Sequence, residues 1–223
     1  MGPMPNLAVI FDMDGVLIDS YHAHFAGWSG LYHELELSYS EAEFAHDFGR
    51  TSRDILFRRF GEQLTDKRIR ELDERKEALF RDSVRENFPA MDGALDLIDA
   101  LTADGFLLAI GSSAPTENIV LCLEKLGRRE SFTAVVTGQE VTRGKPDPQV
   151  FQLAASRLGV TPEHCVVVED AVHGIEAANR AGMRSVALTG TATREHLASA
   201  DLIVESLRQL KPVTFRELIG SHI

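Results

Sequence analysis

The segment Phe11-Asp12-Met13-Asp14-Gly15-Val16-Leu17-Ile18-Asp19-Ser20 sets two carboxylates two residues apart, just past a short apolar run. On extended chain, side chains at i and i+2 project to one side, so Asp12 and Asp14 are expected to face together. Two carboxylates that close repel each other unless a proton or a cation intervenes. A hard divalent ion with oxygen ligands, most simply Mg²⁺, resolves that conflict. Gly15 then permits a sharp turn. Asp-x-Asp-Gly also occurs in calcium-binding EF-hand loops, but there a helix leads in and the glycine comes three residues after the second ligand position. Here the glycine is immediate and the preceding residues read as a strand, which rejects that loop.

Other reactive side chains stand at the ends of later apolar runs. Phe106–Ile110 leads into Gly111-Ser112-Ser113, and Pro115 is expected to open a helix. Hydroxyls and N–H groups at such a turn suit a phosphate oxygen, although Ser112 alone reads first as a helix cap. In Gly144-Lys145-Pro146-Asp147-Pro148, Pro146 is expected to hold Lys145 extended and Pro148 to pre-set a helix. A lysine held that stiffly is aimed at a partner, with a solvated surface lysine as the plainer reading. It is not a Walker P-loop lysine, because Gly138 to Gly144 is one residue too long and proline follows where Ser or Thr should bind the metal. Val166-Val167-Val168-Glu169-Asp170 ends a buried run in two acids, which are costly to bury without a cation. For Asp170 a helix N-cap is the competing role.

These groups need a scaffold, and the apolar runs supply one. Leu7–Phe11, Phe106–Ile110, Ala134–Val136, Cys165–Val168, Ser185–Leu188 and Leu202–Val204 are nearly unbroken, as strands buried on both faces are. Helical stretches lie between most of them. Asp147-Pro148 and Thr161-Pro162 read as N-cap and N1 pairs, and Gly127, Gly159 and Gly182 as helix stops. The fold class predicted is α/β: a doubly wound, Rossmann-like parallel sheet. From about Ser20 to Phe88 only helical periodicity appears, with Tyr21, Phe25, Trp28, Tyr32 and Leu35 on one stripe and Ile69, Leu72, Leu79, Phe80 and Val84 on another. So long an insert suggests a small helical domain over the C-terminal end of the first strand, where open α/β sheets bind ligands. The predicted division is 1–20 with 89–223 as the core and 21–88 as the helical domain.

Composition narrows the partners. The chain has 223 residues, 44% apolar and 26% charged, with 23 Lys+Arg against 34 Asp+Glu and a formal net charge of −11. Such a chain can bury a core, and it lacks the positive field that draws nucleic acid or anionic membrane. Binding of a phosphate ester must therefore rest on local charge. Leu7–Phe11 is too short for a leader or a membrane span, and Met1-Gly2 followed by Asn6 does not complete a myristoylation site. Cys122 and Cys165 form no framework and read as reduced, packed thiols. The expected location is the cytoplasm and the expected state a monomer or weak homodimer.

Together the four reactive segments, in this order, resemble the haloacid dehalogenase superfamily of phosphatases and phosphomutases. Asp-x-Asp-Gly-x-Leu-x-Asp-Ser is the most specific element, supported by Gly-Lys-Pro-x-Pro and Val-Glu-Asp-Ala-x-x-Gly-Ile. The helical insert resembles the cap of that superfamily's first subclass. The resemblance implies Asp12 as nucleophile, Asp14 as general acid/base, Ser112 and Lys145 as phosphate-binding groups, and Asp12, Asp14, Glu169 and Asp170 on the Mg²⁺ side. Dehalogenases of the superfamily lack the second acid, so Asp14 favours phosphoryl transfer.

In the insert, Lys76 falls on the apolar stripe, where a lysine either snorkels or reaches into a cleft. Gly49-Arg50-Thr51-Ser52-Arg53-Asp54 reads either as a helix start with solvated arginines or as a substrate loop. His24 shares a helical face with Trp28 and Leu31, as a packed histidine or as a proton donor. His24…Trp28, Gly49, Arg75-Lys76 and Glu169-Asp170 are similar to the β-phosphoglucomutase-like branch. True mutases of that branch hold a second phosphate with an arginine and a lysine of the cap. Lys76 matches, but Ser52 falls near the arginine's expected place, with Arg50 and Arg53 on either side. Ala114-Pro115-Thr116 also replaces the expected Ser-Lys-Asn. The resemblance thus implies a phosphatase for a small phosphate monoester, with a sugar phosphomutase as the alternative. A receiver-like, phosphate-accepting module without turnover is a third reading, disfavoured by the length and the insert.

Overall fold

The computed structural model describes residues 6–48, 50–61 and 64–220. The amino-terminal Met1-Gly2 and Gly49 lie outside the described residues. Among the described residues, six strands form one sheet: β1 (Ala8–Phe11), β2 (Leu107–Gly111), β3 (Phe132–Val136), β4 (Cys165–Glu169), β5 (Arg184–Leu188) and β6 (Leu202–Val204). Their order is β3-β2-β1-β4-β5-β6 and every neighbouring pair is parallel. This is the doubly wound order, in which the chain winds outward in both directions from β1.

β1 and β4 are buried at every residue, which is why both read as unbroken apolar runs. Helices α5 (Ala94–Ala103), α6 (Thr116–Leu126), α7 (Gln149–Leu158), α8 (Val172–Arg180) and α9 (Pro212–Gly220) complete this unit. Phe151 and Ala154 of α7 pack with Ala177 and Ala178 of α8 in one cluster with Ala8, Ile10, Cys165 and Val167. Cys122 and Cys165 are free and buried, and burial pushes both thiols up to about 12, as packed thiols should behave.

Thr161 and Pro162 take the N-cap and N1 places, though of a 3-10 helix only three residues long, Pro162–His164, because the β-branched run from Cys165 takes the chain into the sheet at once. The other pair needs correction. After Asp147-Pro148 the helix begins one residue late, with Pro148 in the cap position and the Asp147 carboxylate accepting the Gln149 N–H at 3.1 Å. Gly127 and Gly159 do end helices in the left-handed conformation, as that role requires.

The chain divides into two compact units, residues 1–19 with 90–223 and residues 20–89. The second contains α1 (Tyr21–Glu34), α2 (Glu41–Asp47), α3 (Ser52–Phe60) and α4 (Asp66–Glu86). Ser40, Thr51 and Thr65 cap α2, α3 and α4 by accepting N–H groups three residues on, which satisfies donors the helices leave open. Trp28, Leu31, Tyr32, Phe44, Ile55, Leu56, Ile69 and Leu72 form its core. Gly27 lets α1 approach α4, since a Cβ there would stand 3.0 Å from the Lys76 carbonyl oxygen. Among the described residues, no helix is long and apolar enough to cross a membrane.

Candidate active site

Sheet register does the first part of the assembly. Phe11 lies level with Val168, and the Asp12 N–H donates to the Val168 carbonyl at 3.0 Å. The residue after β1 therefore meets the last residue of β4, and Asp12 stands beside Glu169. Past Asp12 the chain curls. The Met13 carbonyl accepts the N–H groups of Leu17 at 2.9 Å and Ile18 at 3.2 Å, and Gly15 adopts φ +72°. Met13, Val16, Leu17 and Ile18 are all buried, so the turn is anchored by apolar packing.

That curl bears on which carboxylates lie together. Asp12, Glu169 and Asp170 each offer a carboxylate oxygen within 4.8 Å of one another. The Asp14 carboxylate is not in this group, because the extended geometry that would align it with Asp12 ends at Met13. Among the described residues, these three buried carboxylates share the Lys145 ammonium, which contacts two of them. An all-oxygen donor set of that kind fits a hard divalent cation such as Mg²⁺.

Lys145 occupies the loop before α7. The Gln149 side-chain oxygen accepts the Thr142 and Arg143 N–H groups at 3.0 and 3.1 Å, tying that loop to the helix start. The Lys145–Pro146 peptide is cis. Lys145 Nζ donates to Asp12 Oδ1 at 2.6 Å and Glu169 Oε1 at 2.8 Å, and stands 4.8 Å from the centroid of the buried Phe151 ring. Its side chain is only 9% exposed, so it is no solvated surface lysine. Glu169 Oε2 accepts the N–H groups of Asp170 and Ala171, both at 2.7 Å. Both Glu169 oxygens thus accept from protein donors, and the side chain anchors Lys145.

Burial governs the electrostatics. It is the main cause that raises Asp12 to about 7, opposed by the Lys145 charge and assisted by those of Glu169 and Asp14. Burial also raises Asp170 well above the carboxylate range, with Glu169 and Asp12 adding to it. For Lys145 burial pulls downward, but Asp12 and Glu169 outweigh it and hold the lysine above its ordinary value. Asp170 accepts a hydrogen bond from the Thr191 hydroxyl. Ser112 is buried beyond the end of β2, and its Oγ accepts the Ala114 N–H at 3.1 Å; a hydroxyl that accepts keeps its proton for another acceptor.

Gly174 has a sharper role than easing helix-to-sheet contact. A Cβ there would lie 1.8 Å from Glu169 Oε1, so the first turn of α8 is bare where the carboxylate folds against it. Gly174→Ala is expected to expel Glu169 from its two backbone donors, destabilising the protein by about 2–4 kcal/mol on the scale of lost charged hydrogen bonds. Urea unfolding checks this; an unchanged midpoint would mean that Glu169 does not need the cradle.

In the helical unit, Lys76 is buried with 4% exposure. Its Nζ lies 3.1 Å from His24 Nδ1 and 2.7 Å from Glu77 Oε1, near the Trp28 and Phe80 rings. His24 stacks on Phe80 with centroids 4.3 Å apart. Lys76 therefore does not snorkel along a surface. The arginines differ: Arg53 pairs with Asp66 at 2.7 Å and Arg50 approaches Asp47 at 3.9 Å, their side chains 62% and 45% exposed. Neither belongs to the buried Lys76 group.

Sequence reasoning did not single out Glu77, Phe151 or Thr191. Glu77 adjoins Lys76 in the chain and was open to inspection, whereas Phe151 reads as an ordinary core residue. Thr191 lies among Thr189-Gly190-Thr191-Ala192-Thr193, which carries no signal for a bond to a residue 21 positions earlier.

Residues 9–188 match the profile of the haloacid dehalogenase-like hydrolase family. The chain is similar to the validoxylamine A 7'-phosphate phosphatase of Streptomyces hygroscopicus subsp. limoneus, with 30% identity over 205 residues covering 91% of this chain and 94% of the relative. It is also similar to a phosphorylated carbohydrates phosphatase of Thermotoga maritima, with 31% identity over 184 residues, 80% of this chain and 83% of that one. Among solved structures, the β-phosphoglucomutase of Clostridium difficile aligns with a TM-score of 0.83 at 25% identity, covering 97% of this chain and 98% of its own.

Proposed function

The chain belongs to the haloacid dehalogenase-like hydrolases, in their β-phosphoglucomutase-like branch, and from that premise we propose a Mg²⁺-dependent phosphatase. Its substrate is a small phosphate monoester, a sugar phosphate or similar metabolite, and the phosphoryl group passes through Asp12. The observation that carries this reading is the buried Asp12 carboxylate held at 2.6 Å by Lys145, with carboxylate oxygens of Glu169 and Asp170 within 4.8 Å of it.

Asp12 attacks phosphorus in line, forming an aspartyl-phosphate and dividing one difficult displacement into two. Lys145 neutralises non-bridging oxygens as the anionic carboxylate approaches, with the Ser112 hydroxyl donating to another. Asp14 gives a proton to the departing oxygen and takes one from the water that later attacks the acyl phosphate. Asp12 and Asp170 would hold Mg²⁺, which supplies further charge neutralisation at the phosphoryl group. In the helical unit, Lys76 and His24 are the proposed substrate-recognition groups, with Glu77 fixing the lysine. Arg50 and Arg53, both exposed and facing carboxylates, are secondary candidates.

Buried Lys76 is the feature that favours a phosphomutase, the second reading. Against it stands Ala114-Pro115-Thr116, which offers no cation, and whose Thr116 hydroxyl contacts Thr137 and Gln139 at 3.0 and 2.9 Å. Incubation with Mg²⁺ and a panel of phosphate esters that includes β-glucose 1-phosphate decides between them. Phosphate release supports the hydrolase. Conversion to glucose 6-phosphate without release, dependent on a bisphosphate primer, supports the mutase, and no reaction with any ester counts against both.

The Asp12 value of about 7 fixes a pH dependence. Its folded value lies above its unfolded one, so in metal-free protein the folded state holds a proton the unfolded chain has lost. That contribution to stability is full below about pH 4 and fades as pH rises through about 7. Cation binding requires the ionised form, so Mg²⁺ affinity is expected to weaken up to about tenfold per unit as pH falls below about 7. Thermal midpoints with and without Mg²⁺ from about pH 5.5 to about 8 test both trends. A Mg²⁺-induced shift that grows toward acid pH would contradict them.

A further inference from the structure

Of the three buried acids, Asp170 draws its hydrogen bond from outside the Lys145 group. Lys145 and two backbone N–H groups hold Glu169, and Lys145 holds Asp12. Asp170 instead receives its hydrogen bond from outside the sheet edge, from Thr191. The geometry of the loop explains the reach. Glu169 lies level with Ala187 of β5, so the chain leaving β5 passes beside Asp170. The Thr189 N–H is tied to the Val204 carbonyl at 2.9 Å, and two residues later the Thr191 hydroxyl arrives at Asp170 Oδ2. The same oxygen lies against Gly15, where an added Cβ would come within 1.9 Å of Oδ2 and 3.2 Å of Oδ1.

We propose that Thr191 is a positioning residue for cation binding: its hydroxyl and the bare Gly15 Cα fix the Asp170 carboxylate so that Oδ1 is presented to the ion. This rests on the Mg²⁺ reading of the site. An unsupported carboxylate samples several rotations about its terminal torsion, which is broad rather than staggered, and must lose that freedom when it ligates. A hydroxyl that has already selected one orientation removes that loss, which is how partners of metal ligands commonly raise affinity. The rest of Thr191 is exposed, so changing its hydroxyl disturbs no packing.

The test is calorimetric titration of substrate-free protein with Mg²⁺, alongside its thermal midpoint in EDTA. Thr191→Val keeps the shape and removes the donor; it is expected to raise the Mg²⁺ Kd about tenfold while leaving the EDTA midpoint near that of the wild type. Thr191→Ser keeps the donor and should restore the affinity. The inference is overturned if Thr191→Val binds Mg²⁺ like the wild type, if Thr191→Ser is as weak as Thr191→Val, or if Thr191→Val lowers only the EDTA midpoint, the mark of a loop anchor. A wild-type protein with no Mg²⁺ binding that Asp170→Asn removes would overturn the metal reading itself, and the inference with it.

Discussion

Asp12→Asn is expected to lower turnover by at least about 10⁴-fold, the scale on which loss of a nucleophile is felt, and to abolish phosphoryl-enzyme. Asparagine matches aspartate in size but has no anionic oxygen to offer phosphorus. The substitution should leave the fold intact. Lys145 keeps Glu169 as a counter-ion at 2.8 Å, and Asp12 carries its charge only against the cost of burial. Acid-quenched labelling with a phosphate-ester substrate, paired with the thermal midpoint, separates chemistry from folding. Near-normal turnover in a folded Asp12→Asn protein would reject covalent catalysis at this residue.

Lys145→Met should come second, and should lower both activity and stability. Removing one preorganised charge at a transferring phosphoryl group costs about 10³-fold in turnover. The same change strips Asp12 and Glu169 of their shared cation, and breaking a buried pair by deleting one partner costs about 3–5 kcal/mol. Because the lysine charge lowers the Asp12 value, its loss should move Asp12 above about 7 and push the acid limb of any residual activity to higher pH. Saturating Mg²⁺ should recover part of the stability, since a cation can relieve the same carboxylates. Equal unfolding midpoints for variant and wild type in EDTA would show that the pairing carries no weight in folding.

How far these effects could be foreseen depends on where the information lies along the chain. The sheet was legible because β1 and the Cys165–Val168 stretch of β4 are buried on both faces and carry only apolar residues. Asp12, Glu169 and Asp170 stood out as acids at the ends of such runs, and Lys145 as a lysine set directly before a proline. Asp14 is where the sequence says least about side-chain placement, since the same-side rule assumes extended chain and the Met13 carbonyl collects the following N–H groups within a few residues. That Gly174 stands bare against the Glu169 carboxylate could not be read locally: a small residue in a helix announces close approach, not what approaches. The Asp170–Thr191 contact depends on strand order and register, which bring β5 beside β4 and which no local pattern encodes. The Lys76 stripe was visible in α4 and Glu77 is its neighbour in the chain, but that the lysine would find His24 depended on how α1 packs on α4.

The chain leaves the sheet-bearing unit after Asp19 and rejoins it at Ala90, and these two points are neighbours. Ile18 bridges Ala90 in antiparallel fashion, and the Met91 N–H donates to the Leu17 carbonyl at 3.0 Å. A seventy-residue excursion is thus stitched at its base like a domain inserted into a hairpin, and a short bridge could span the gap with little loop-closure penalty. Hosts with that anatomy tolerate exchange of the inserted body, because the Ile18–Ala90 bridge and the Met91–Leu17 hydrogen bond close the base whatever is spliced between them. The helical body can then be replaced or redrawn while the carboxylate cluster at the ends of β1 and β4 stays in place.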